Sequence, residues 1–134
     1  MKRATLYADG AARGNPGPAG SGAVLLDPDG RTIAERTLYI DHATNNVAEY
    51  NGLLIGLEEA LAQGIEDLAI RMDSELVVKQ LRGEYRTKHA NMLPLADRAR
   101  ALLAQFKHWT IEHVPREQNG LADALSNRAI DDAR

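Results

Sequence analysis

Two carboxylates stand at the ends of strand-like runs. Asp9 closes "ATLYAD" and is followed by "GAARGNPGPAGSG", a stretch crowded with Gly10, Gly14, Pro16, Gly17, Pro18, Gly20 and Gly22. Asp73 closes "DLAIRMD". In an open α/β sheet, ligands gather beyond the carboxyl ends of parallel strands. If these two runs are parallel neighbours, strand spacing puts their carboxylates about 5 Å apart. At an effective dielectric of about 20, two charges at that distance repel by on the order of 3 kcal/mol, so a cation belongs between them. The glycines do not make a dinucleotide fingerprint. No G-x-G-x-x-G occurs, and Pro16 and Pro18 lie where a phosphate-binding helix would have to start.

The elements that must position these acids follow from periodicity. Alternation predicts strands over residues 3–9, 20–27, 31–40, 67–73 and 108–114. "DPDG" at 27–30 is a hairpin signal between the second and third. Val47, Tyr50, Leu54, Leu57 and Leu61 recur at helical steps, with Asn46 as the expected N-cap and Gly64 as the stop. Two further helices are predicted over 75–82 and 94–106. A last one is capped by Asn119 and carries Leu121, Ala122, Leu125 and Ala129. The order βββαβααβα predicts an α/β fold with a five-stranded mixed sheet. Strands 1–3 form an antiparallel meander, and strands 4 and 5 are parallel, reached through helical crossovers.

Two more acids, Glu49 and Asp123, fall on these helices, and each of the four has a structural reading beside the chemical one. Asp9 can start a turn. Glu49 sits three residues after Asn46, the capping-box position. Asp73 can cap the helix that follows it. Asp123, in the first turn of the last helix, suits the helix macrodipole. Local signals leave these alternatives open.

Composition bounds the answer. With 134 residues, 44% hydrophobic and 26% charged, the sequence reads as one globular domain over 1–134. No run approaches the roughly 20 apolar residues of a membrane span, and no secretory leader is visible. The absence of cysteine excludes disulfides and thiolate metal sites, and makes a reducing, cytoplasmic setting the default. A net charge of −3 argues against a generic nucleic-acid binder. Committing four carboxylates to metal raises that −3 by four, to +1, which removes the objection.

"YADGAARGNPGPAGSGAVL", "TNNVAEYNGLLIGLEEAL", "MDSELVVKQLRG" and "VPREQNGLADALSN" resemble, in order, the motif blocks of type 1 ribonuclease H. They span residues 7–127. The resemblance implies a ribonuclease H-like fold with helices on both faces of the sheet. It also implies a metal-dependent endonuclease that hydrolyses the RNA strand of RNA–DNA hybrids, leaving 5′-phosphate and 3′-hydroxyl ends. The family's four metal-binding acids fall on Asp9, Glu49, Asp73 and Asp123. They would hold two Mg²⁺ ions, with Mn²⁺ a substitute and Asp9 bridging the pair. Mg²⁺ takes hard oxygen ligands and keeps waters, so a few carboxylates plus a substrate phosphate suffice. Gly10 (through its backbone), Asn15, Asn45 and Asn46 would contact the RNA strand, and Thr44 a phosphate of the DNA strand. The glycines beside Asp9 would let the substrate backbone come close. Polar loop residues satisfying their own turns is the alternative for these asparagines.

The sequence departs from the longer relatives in three places. A glutamine that contacts RNA is replaced by Glu75. The basic protrusion is missing, and only Leu81–Met92 lies there, with Arg86 and Lys88 as candidate phosphate contacts, as in a short subclass. The mobile-loop histidine has no counterpart. His113 alternates with Trp109 and Ile111 and reads as a packed strand residue, while Arg116 could assist product departure or simply be solvated. No membrane and no obligate protein partner is expected. The rival readings are a noncatalytic hybrid-binding module, and a resolvase or integrase, which would lack the T-N-N-x-A-E block.

Overall fold

Leu6, Ala8, Leu68, Ile70, Met72 and Ile111 alternate along three neighbouring strands and are buried together with Leu53, Leu57, Ala96, Ala99 and Leu103 of two helices. Burying that apolar face is what lays helices against the sheet. A computed structural model describes residues 2–133; Met1 and Arg134, the ends of the predicted 1–134 domain, lie outside the described residues. The elements are β1 (Arg3–Ala12), β2 (Gly17–Leu26), β3 (Thr32–Ala43), α1 (Asn45–Ala62), β4 (Asp67–Met72), α2 (Glu75–Leu81), α3 (Leu93–Leu103), β5 (His108–His113) and α4 (Gly120–Asp132). A single 3₁₀ turn, Arg116–Gln118, precedes α4.

The sheet order is β3-β2-β1-β4-β5. β1, β2 and β3 pair antiparallel, and β4 joins β1 and β5 in parallel, as the sequence order implies. The hairpin forms where expected. Asp27 Oδ1 accepts the N–H groups of Asp29 and Arg31, each at 2.9 Å. α1 lies on the face shared by Ser21, whose Oγ donates to Ala48 O at 2.6 Å. α4 covers the other face, against Gly20 and Gly22.

The predicted boundaries are corrected around the glycine-rich segment. β1 does not end at Asp9 but continues to Ala12, paired with β2 alone, since β4 stops opposite Ala8. β2 begins at Gly17, not at residue 20, and β3 extends to Ala43, which pairs with Gly17. Most of the presumed loop is therefore strand, because the small residues suit two faces that helices approach closely.

Candidate active site

β1 and β4 pair in parallel up to Ala8 and Met72, so the next residue on each strand is an acid. One oxygen from each of Asp9, Glu49 and Asp73 lies within 4.8 Å of the others, in line with the separation that strand spacing implies. Asp9 is buried, and Glu49 and Asp73 are half-buried. Asp123 stands outside this tight triad but lines the same cavity of about 300 Å³, together with Gly10, Ala11, Asn45 and Arg116.

The helix that carries Glu49 is capped by Thr44, not by Asn46. Thr44 is extended, with φ −81° and ψ 164°, and its Oγ1 accepts Val47 N–H at 3.2 Å. Asn45 and Asn46 are already within the helix, so Glu49 lies beyond any capping box and its carboxylate has no capping duty. What sets it beside Asp9 is a close approach of backbones. A Cβ on Gly10 would stand 2.2 Å from the Ala48 carbonyl and 2.4 Å from Glu49 N; one on Gly52 would stand 2.3 Å from Asp9 O. On the other face, a Cβ on Gly22 would stand 2.7 Å from Ala122 O of α4, the helix of Asp123. These glycines seat helices on the sheet, a role their residue types alone did not indicate.

Asp73 is likewise free of capping, since Ser74 caps α2 and accepts Val77 N–H at 3.3 Å. Asn119 occupies the N-cap position of α4 but makes no side-chain cap bond, contrary to expectation. Its Nδ2 instead donates to Asp73 Oδ1 at 2.9 Å and to Ala8 O at 3.0 Å.

Burial raises the Asp9 carboxyl to about 8, reinforced by the charges of Asp73, Glu49 and Asp123 and opposed by the Gly10 N–H. Burial also raises Glu49, to about 7, with Asp73 adding to the rise and the Ser74 hydroxyl opposing it. Three clustered carboxylates, two of them desolvated, offer only oxygen donors and form a hard ligand set for a Mg²⁺-class cation. The donor set therefore fits the metal the resemblance implies. Arg116 is the one basic side chain lining this cavity among the described residues.

The remaining candidates split into two groups. Asn15 Oδ1 accepts Asn45 N–H at 3.0 Å, and Asn45 Oδ1 accepts Ala12 N–H at 2.7 Å. Both carbonyl oxygens thus tie the β1–β2 turn to α1, and neither NH₂ group donates a hydrogen bond to another described residue. Asn15, Thr44 and Asn46 share a cavity of about 210 Å³ with His89 and Asn91. Asn91 is an addition for which no periodicity gave a signal. Arg86 and Lys88 are exposed and line a neighbouring groove of about 420 Å³ with Asn46, Tyr85 and His89. Glu75 is exposed and paired with Lys79 at 2.6 Å, and is not a member of the acid triad.

His113 is a strand residue paired with Met72, as predicted, but it is exposed rather than packed. It is the last residue of the edge strand β5.

The family described as reverse transcriptase-like matches residues 7–129. The solved structure of LC11-RNase H1 in complex with an RNA/DNA hybrid superposes with a TM-score of 0.92 at 40% identity, covering 97% of this chain and 98% of that one. A ribonuclease HI of Halobacterium salinarum is 50% identical over 131 residues, 98% of this chain and 66% of that protein. The chain belongs to the type 1 ribonuclease H family.

Its five-stranded sheet is the ribonuclease H fold. A bifunctional protein of Mycobacterium tuberculosis is 48% identical over 132 residues; the chain spans about a third of that relative, 36% of its length. No helix lies between Leu81 and Leu93 among the described residues, which agrees with the missing protrusion. Among the described residues, no helix is long and apolar enough to cross a membrane.

Proposed function

We propose that this chain is a ribonuclease H that hydrolyses the RNA strand of RNA–DNA hybrids, leaving 5′-phosphate and 3′-hydroxyl ends. The observation that carries the reading is the meeting of Asp9, Glu49 and Asp73 within 4.8 Å at the carboxyl edge of β1 and β4. Asp9, Glu49, Asp73 and Asp123 would hold two Mg²⁺ ions, with Mn²⁺ a substitute. When bound, such a pair supplies an activated water and neutralises the leaving 3′-oxygen. The protein's part is to present the scissile phosphate to the acids. The Asn15 and Asn45 NH₂ groups and the Gly10 backbone lie along the RNA side, where 2′-hydroxyls distinguish RNA from DNA. The Asn46 amide joins them. The Thr44 hydroxyl accepts from Val47, which leaves its proton for a DNA-strand phosphate. Arg116, which lines the same cavity as the four acids, would draw the product phosphate away.

We read residues 1–134 as a single catalytic domain that works in the cytoplasm without an obligate protein partner. A noncatalytic binder is disfavoured because four like charges beside phosphates weaken binding unless metal offsets them.

The deciding assay compares labelled RNA–DNA hybrid, duplex RNA and duplex DNA, with Mg²⁺, with Mn²⁺ and with chelator. Metal-dependent cleavage of the hybrid and an intact DNA duplex are expected. Equal cleavage of the hybrid and the DNA duplex would refute 2′-hydroxyl reading, and a hybrid bound but never cut would make the chain a binding module.

The exposed Arg86 and Lys88 carry a second prediction. Each would meet one phosphate, so replacing both by Gln should lower the salt slope of hybrid binding by about two. Fluorescence anisotropy across a salt series measures this. An unchanged slope removes both residues from the interface.

A further inference from the structure

Asn119 is 1% exposed and touches three of the four segments that carry the acids. Its Nδ2 donates to Ala8 O, the carbonyl before Asp9, at 3.0 Å, and to Asp73 Oδ1 at 2.9 Å. Its backbone carbonyl accepts Asp123 N–H at 3.0 Å, and its own N–H donates to Arg116 O at 3.0 Å. Both partners of Nδ2 are acceptors, so the amide must turn its NH₂ toward them; the opposite flip would set oxygen against two oxygens. The remaining Oδ1 is buried without a partner among the described residues. An asparagine kept as a helix cap would use that oxygen to accept from the first turn of α4. This one does not. Its donors, not its acceptor, hold it in place.

The charges explain what those donors do. Without a cation, Asp73 faces the carboxylates of Asp9 and Glu49, which repel it. A carboxylate free to rotate would swing away from them toward solvent. An N–H donor fixed on Oδ1 opposes that rotation, and the same NH₂ group anchors to the strand that carries Asp9. We infer that Asn119 is a positioning residue for the metal centre. It holds the Asp73 carboxylate facing Asp9 and Glu49, and joins β1, β4 and α4 so that their acids keep one geometry before metal arrives. This inference rests on the reading of the acids as a metal centre.

Partners that orient metal ligands typically contribute about 10- to 100-fold in affinity or activity. Titration calorimetry of Mn²⁺ into metal-free wild-type protein and Asn119→Ala, without substrate, should show binding weakened by about that factor in the variant. Steady-state cleavage of hybrid should show kcat lowered by a similar factor, with KM within about twofold of wild type, because no substrate contact is removed. A purely structural loss would not produce that split. Circular dichroism at the assay temperature confirms that the protein compared is folded. Asn119→Ser, which keeps a polar group in the buried position but shortens its reach, provides a second variant with the same expectation. If wild type binds Mn²⁺ and cuts hybrid, and a folded Asn119 variant matches it in Mn²⁺ affinity and kcat, the inference fails while the metal centre stands. If wild type itself neither binds Mn²⁺ nor cuts hybrid, the metal-centre reading fails and takes this inference with it.

Discussion

Asp9→Asn should abolish most hybrid cleavage and yet make the metal-free protein more stable. The substitution keeps the shape of the side chain and removes the most buried ligand charge. Metal ions contribute several kcal/mol of transition-state stabilisation, and each ~1.4 kcal/mol is tenfold in rate, so a fall in kcat of about 10³-fold or more is expected. The stability effect follows from proton linkage. The Asp9 carboxyl rises from an ordinary 3.8 to about 8 in the fold. Between those pH values the folded protein therefore holds more protons than the unfolded chain. Stability of the metal-free protein must then fall as pH rises through that window. Glu49, raised from 4.5 to about 7, adds to the same slope. At pH 8 the Asn variant lacks this penalty and should exceed wild type by a few kcal/mol.

Mg²⁺ should reverse the order. It binds only the folded state and stabilises wild type by mass action, whereas the variant lacks a ligand. Thermal unfolding in chelator at pH 5 and pH 8, repeated with Mg²⁺, reads all of this. Near-wild-type cleavage by Asp9→Asn, or a metal-free wild type that gains stability toward pH 8, would sink the metal-centre reading.

Gly10→Ala should lower hybrid cleavage nearly as severely by another route. The added methyl would meet the Ala48 carbonyl at 2.2 Å, a contact with helix backbone that no rotamer change relieves. α1 must back away from β1, which costs on the order of 1–3 kcal/mol or more. The movement carries Glu49 with it, and a displacement of about 1 Å can cost 10²-fold in rate. Urea unfolding and kcat on hybrid should both report the loss. Gly120→Ala is the control, because nothing lies within 4 Å of a Cβ there. Equal effects at the two positions would show that the close approach is not what places Glu49.

Much of this was legible in the chain alone. The alternation of Leu68, Ile70 and Met72 before Asp73, the step pattern from Val47 to Leu61, and the Asp27 turn are local signals. Neighbouring residues set them, and the fold respects them. The four acids could be named from the motif blocks. That Asp9 and Asp73 should stand together followed from parallel strand spacing once the element order was read.

Other features depended on segments distant in sequence. Thr44, two residues before the expected cap, starts α1 because the Asn45 side chain ties back to Ala12 and Asn15 holds the Asn45 N–H. The glycines of residues 10–22 looked like a loop for substrate and are mostly strand pressed under α1 and α4. Asn119 looked like a cap and is a strut between two strand ends. His113 kept its predicted strand and lost its predicted burial: it closes the edge strand β5 and is exposed. Periodicity tells each residue which way to point, over a turn or a strand pair. Which segment meets which carboxylate is set by packing between segments as much as 111 residues apart, and only the tertiary structure decided it.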